Sequence, residues 1–170
     1  MKNIKFLFVA IALLLVFTQI KAQNVTVSTA LNNVLSAYYG VKNSLVTDKA
    51  VFAQSKAKEL IVAINAVPVG EMNVGQQKIW ASHTDKLLSD SKHISESTLE
   101  NQRDYFTTLS KNLFEVFKGL KMNSTEIYQQ YCPMKNATWL SETQIIKNPY
   151  YGKQMLSCGK TTETLAVETK

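Results

Sequence analysis

No proline falls between Pro68 and Pro133. A proline inside a helix costs about 3 kcal/mol, so this long stretch is open to uninterrupted helix. Its apolar residues recur at threes and fours, the spacing of one helix face. Ile79, Trp80, His83 and Leu87 make such a stripe over about residues 76–92. Ser97 with Glu100 three residues later resembles a capping box, and Leu99, Phe106, Leu109, Leu113, Val116, Phe117 and Leu120 supply the inner face of the helix it opens. The same periodicity holds upstream. Val27, Leu31, Val34, Tyr38, Val41 and Leu45 line a first helix that stops at Val46-Thr47-Asp48, where Thr47 or Asp48 can cap the next. Phe52, Ala53, Ala57, Leu60, Ile61 and Ile64 line the second. The stretch Val67 to Gly75 holds Pro68, Gly70 and Gly75 and reads as a loop. Four amphipathic helices with mostly short connections predict an all-α chain folded as an antiparallel four-helix up-down bundle. There is no internal repeat and no low-complexity segment.

The N-terminus speaks to location. Lys2 and Lys5 precede the apolar run Phe6 to Phe17, and Ala22 comes before the polar Gln23. A basic head, an apolar stretch below the ~20 residues a span needs and a small residue before a polar one predict a secretory signal peptide over 1–22, cleaved after Ala22. The expected product is a periplasmic or secreted protein with no membrane anchor. Losing 22 of 170 residues leaves 148, enough for one domain with a real core. Losing Lys2, Lys5 and Lys21 lowers the formal net charge from +6 to +3. That balance is mild, and no Lys/Arg stripe interleaves with aromatics, so nucleic acid is not an expected partner.

After Lys121 the period changes. "EIYQQYCPM" and "ATWLS" read as brief strands or hairpin arms. Asn148-Pro149 marks a turn, and "KQMLSCG" reads as one helical turn ending at Gly159. The domain is expected to span 23–165, with a cap over about 123–160, and 161–170 to be a polar tail.

This cap holds both cysteines of the chain, Cys132 and Cys158. Pro133 separates Cys132 from Met134, and Met155 lies three residues before Cys158. Thiolate and thioether sulfurs are soft donors that select Cu(I) and similar ions. Two fates are open for the cysteines: ligands of a soft metal together with Met134 and Met155, or a disulfide of the kind exported proteins form. In the second case the methionines fill gaps in a core. His83 is either a buried histidine bonded to a polar neighbour or a supplementary metal ligand. His93 lies ten residues on, a rise of ~15 Å along a straight helix, so the two cannot share one ion. No nucleophile–base arrangement, Gly-rich phosphate loop, HExxH or CxxC spacing occurs, and the expectation is not an enzyme. Asn24, Asn123 and Asn136 begin Asn-x-Thr sequons, which matter only in a glycosylating host.

The blocks "YCPM" (131–134), "WLS" (139–141), "NPYYG" (148–152) and "MLSCG" (155–159), supported by "NQRDYFTTLS" (101–110), resemble a domain-of-unknown-function family of exported Gram-negative proteins. Members occur alone after a signal peptide or fused to periplasmic adaptor subunits of heavy-metal efflux pumps. The resemblance covers roughly Leu31 to Leu165 and is densest after Tyr128. It implies a helical domain linked to copper or other soft-metal handling, with Cys132, Met134, Met155 and Cys158 at the binding positions and an efflux-pump adaptor as partner. Family members often carry His directly before Gln-Arg, where this chain has Asn101. His83 or His93 must then stand in, or binding is weaker. The expected function is a non-enzymatic soft-metal-binding domain, with Pro133, Asn148, Pro149 and Gly152 shaping the cap. The alternative is an envelope interaction module, stapled by Cys132–Cys158, that presents Trp139, Tyr150 and Tyr151 as contact anchors.

Overall fold

The structure is a computed structural model and describes residues 25–167. The expected signal segment, with its expected cleavage after Ala22, lies outside the described residues. The fold is mainly helical, with four helices followed by a three-stranded antiparallel sheet. Helix α1 covers 25–46; α2 is Ala50–Asn65, α3 Val74–Glu96 and α4 Leu99–Leu120. Strands β1 (Ile127–Cys132), β2 (Ala137–Ser141) and β3 (Lys160–Leu165) form a sheet in the order β2-β1-β3. The all-α expectation is therefore corrected, and so is the polar tail. Lys160–Leu165 reads as solvent-exposed and polar because it is an edge strand with little burial, yet its backbone pairs with β1 from Ile127↔Leu165 to Tyr131↔Lys160.

The helix stripes are largely those of the sequence. Val27, Leu31, Val34, Tyr38, Val41 and Leu45 are all buried on α1. On α2 the buried set is Ala53, Ala57, Leu60 and Ile64, spaced four, three and four. Phe52 falls just off that stripe; it is exposed, with the Lys49 ammonium 5.2 Å from its ring centroid. Helix α3 packs on both α2 and α4, and β2 lies against α4.

The helix starts differ from the sequence reading. Asn73 caps α3 in a reciprocal box with Gln76: the Gln76 N–H donates to Asn73 Oδ1 at 2.9 Å and the Asn73 N–H to Gln76 Oε1 at 3.0 Å. Ser97 ends α3, and Thr98 precedes α4 without a side-chain cap. Lys49 precedes α2, while Asp48, at φ +59°, turns its carboxylate elsewhere.

The helices meet the sheet through aromatic rings. Tyr38 of α1 stacks on Phe106 of α4 at 5.1 Å, Phe106 meets Tyr150 at 6.0 Å, and Tyr150 meets Trp139 of β2 edge-on at 6.0 Å. Two phenols in this ladder also bond the backbone of β2. The Tyr150 hydroxyl donates to Thr138 O at 2.5 Å, and the Leu140 N–H donates to the Tyr38 oxygen at 3.0 Å.

Candidate functional site

Arg103 and Asn148 hold the cap in place. Arg103 Nε donates to Pro149 O at 2.9 Å, while Nη2 donates to Asp48 Oδ1 at 2.6 Å and Leu45 O at 3.2 Å. One guanidinium thus joins α4, the α1–α2 turn and the cap. Gly152 sits beneath this pair at φ +54°. A Cβ there would lie 2.0 Å from Asp48 Oδ1 and 2.7 Å from Arg103 Nη2, so only glycine fits. The preceding Gln102 is fully buried and donates to Ala50 O, Ile94 O and Ser97 O, tying the α3–α4 turn to α2.

Asn148 is fully buried. Its Oδ1 accepts from the Tyr150 N–H at 2.8 Å, and its Nδ2 donates to Cys158 O at 2.8 Å and to Cys132 Sγ at 3.1 Å. The "NPYYG" block is thus a set of backbone and side-chain bonds that fixes where the cysteines sit.

The two cysteines come together. Cys132 ends β1 and is fully buried; Cys158 precedes β3, is partly exposed, and its carbonyl shares the Asn148 amide with the Cys132 sulfur. Both carry free thiols. Partial desolvation raises the Cys158 pKa, and the neighbouring Cys132 adds to the rise through its charge and its hydrogen bond. Gly159 allows this approach: at φ +151° a Cβ would lie 2.8 Å from the Trp139 ring and 2.9 Å from Tyr131 O.

The other expected ligands stand apart. Met134 lies in the turn between β1 and β2 and is 62% exposed; Met155 follows the short 3₁₀ turn Gly152–Gln154 and is 39% exposed. Neither is packed as core filler. Only a backbone bond from the Cys158 N–H to Met155 O, 3.0 Å, relates Met155 to a thiol. Of the expected helical turn at "KQMLSCG", only Lys153 and Gln154 are helical, within the 3₁₀ turn, and Met155 to Cys158 closes as a hydrogen-bonded turn. His83 pairs through Nδ1 with Asn112 Oδ1 at 2.9 Å across the α3–α4 seam. Among the described residues no three His, Cys, Asp or Glu side chains gather as metal ligands would, so His83 does not join the thiols. His93 stacks on Tyr105 at 4.4 Å and bonds Ser89 O.

The proposed contact anchors are corrected in part. Trp139 and Tyr150 are 0% and 4% exposed and serve the aromatic ladder; only Tyr151 reaches the surface. The ladder requires large rings there, and a buried ring reads the same in sequence as an exposed one. Asn123 is also buried, with its amide donating to Thr125 O, Leu165 O and Ala166 O, so its sequon is spoken for.

The sequence reading passed over Lys42, which is 2% exposed and ion-paired with Glu142. Burial lowers its pKa, opposed by Glu142. Burial works to raise the Glu142 pKa, but Lys42 outweighs it and holds that carboxyl below its ordinary value. The pair lines an open cleft of about 270 Å³ with Asn43, Thr47, Ser141 and Thr143. Its geometry pins the segment after β2 to α1.

Residues 34–125 match the family described as protein of unknown function (DUF3347). That span exceeds half of the chain, and the chain belongs to this family. The match ends at Thr125, so of the motif blocks only Asn101–Ser110 lies within it, and the thiol-bearing cap lies beyond. No curated protein and no solved structure matches the chain. No helix among the described residues is long and apolar enough to cross a membrane.

Proposed function

We propose that this chain is a non-enzymatic, soft-metal-binding domain of the periplasm or the secreted space, with Cys132 and Cys158 as thiolate ligands for Cu(I) or an ion of similar softness. The observation that carries this reading is that the only two cysteines, one buried and one partly open, meet at the fixed amide of Asn148, which bonds the Cys132 sulfur and the Cys158 carbonyl. An N–H donor on a ligating sulfur orients it, as outer partners of metal ligands do. Met134 and Met155 are exposed on flexible side chains near the thiols in sequence, and they act as additional thioether ligands that swing in or hand the ion over. The helices, taken as an antiparallel up-down bundle, are the rigid support. An efflux-pump adaptor is the natural recipient, because sulfur ligands exchange ions between proteins without releasing them.

The adjacency of the thiols also favours a second reading, a Cys132–Cys158 disulfide that staples the cap of an interaction module. Burial of Trp139 and Tyr150 takes away two of the three anchors that module would use.

Anaerobic titration of the reduced protein with Cu(I) against a chromogenic chelator separates the two. The expected result is one equivalent bound, abolished in Cys132→Ser/Cys158→Ser and weakened about 10- to 100-fold in Asn148→Ala. Undiminished uptake by the double serine variant would overturn the assignment.

A further inference from the structure

The two sulfurs are unequal in a way that metal binding alone does not require. Cys132 is fully buried at the end of β1, behind the Asn148 amide, whereas Cys158 lies at the surface end of the same contact. An external disulfide can reach Cys158 and not Cys132. Once Cys158 is modified, however, the Cys132 sulfur is already near it: one Asn148 amide bonds both Cys132 Sγ at 3.1 Å and Cys158 O at 2.8 Å, and the β1–β3 register sets Tyr131 opposite Lys160.

We propose that the pair is a directional redox latch, with Cys158 the exchanging sulfur and Cys132 the resolving one, so that oxidation by a small-molecule or protein disulfide closes the site. The gating of metal by this latch rests on the soft-metal reading above; the order of sulfur chemistry does not. In the first step the Cys158 thiolate attacks one sulfur of the external disulfide. A mixed disulfide forms and one thiolate leaves. In the second step the Cys132 thiolate attacks the Cys158 sulfur, forming the internal bridge and expelling the second external thiolate. The protein loses two hydrogens, the external disulfide gains them as two thiols, and both candidate metal ligands are consumed. Reduction runs the same path backwards, with attack again directed at exposed Cys158.

The bridge would tie the end of β1 to the start of β3, closing a loop that contains β2 and the Asn148 turn. Closing a loop of that length stabilises the fold mainly through the unfolded chain, with a rise in unfolding midpoint on the order of 10 °C.

The test uses the reduced full chain, Cys132→Ser and Cys158→Ser, each incubated with glutathione disulfide under native conditions and followed by intact mass. Wild type should lose two hydrogens through a transient glutathione adduct. Cys132→Ser should accumulate that adduct at Cys158, and Cys158→Ser should react at least about tenfold more slowly because its remaining thiol is buried. Equal adduct rates in the two variants, or a wild-type adduct that never resolves, would overturn the latch. Cu(I) binding is then measured on the reduced and bridged forms. Binding only by the reduced form supports gating, and equal binding by both overturns it. If the bridge forms in order but the reduced protein binds no Cu(I), the latch stands and the metal reading falls.

Discussion

Replacing Arg103 should release the cap from the helices. The side chain is 17% exposed and its carboxylate partner Asp48 31%, so the group is mostly, not wholly, shielded. It makes three bonds: to Asp48 Oδ1 at 2.6 Å, to Pro149 O at 2.9 Å and to Leu45 O at 3.2 Å. Hydrogen bonds involving charged groups contribute about 1.5–3 kcal/mol each, and water reaching Asp48 and the freed carbonyls recovers part of that. Arg103→Ala should therefore cost about 3 kcal/mol, or about 10 °C in unfolding midpoint for a domain of this size. Lysine cannot serve three acceptors from one planar fork, and Arg103→Lys should recover about 1 kcal/mol of the loss. The chain has two tryptophans, Trp80 on α3 and Trp139 on β2. In a Trp80→Phe background the fluorescence of Trp139 follows the cap directly through urea unfolding. A loss below about 1 kcal/mol for Arg103→Ala would mean an ordinary surface ion pair and would refute the clamp; so would full rescue by lysine.

Gly152→Ala should destabilise by several kcal/mol, of order 3, since its Cβ would drive into the Asp48–Arg103 pair at a positive φ; thermal melting checks this, with Gly70→Ala, which meets nothing within 4 Å, as the control. Gln102→Ala should cost about 2–3 kcal/mol by chemical denaturation, because three backbone carbonyls lose their shared donor. Glu142 carries a depressed pKa, so its pairing stabilises the fold above the ordinary carboxylate pKa of about 4.3 and is lost as pH falls through the lower folded value. Glu142→Gln should then cost about 1–2 kcal/mol at pH 7, discounted for the exposure of Glu142, and the gap to wild type should narrow below pH 4; a gap independent of pH would break the argument.

The four helices were legible because their buried faces follow simple spacing, as Leu31, Val34, Tyr38, Val41 and Leu45 do on α1. Strands β1 and β2 showed through a change of period and their aromatic, β-branched content. Strand β3 did not, because Lys-Thr-Thr-Glu-Thr-Leu is polar on both faces and owes its conformation to pairing with β1. The helix starts misled for a similar reason: Ser97 and Asp48 have the chemistry of caps but are engaged otherwise, Asp48 by a guanidinium 55 residues away. At the site, sequence brought Cys132 and Cys158 into question, and the fold brings both to the one Asn148 amide. It could not show that Met134 and Met155 face solvent or that Trp139 and Tyr150 face inward. Those orientations depend on which side of a turn or strand meets the aromatic ladder, and no local spacing encodes that.

The hydroxyls of Tyr150 and Tyr38 occupy a carbonyl and an amide on the outer rim of β2. A guest strand approaching from that flank would have to evict two phenols before it could zip on. Lateral accretion, whether into oligomers or into aggregates, is thereby steered to the opposite rim, where a short threonine-rich strand with a lysine and a glutamate offers a poor template.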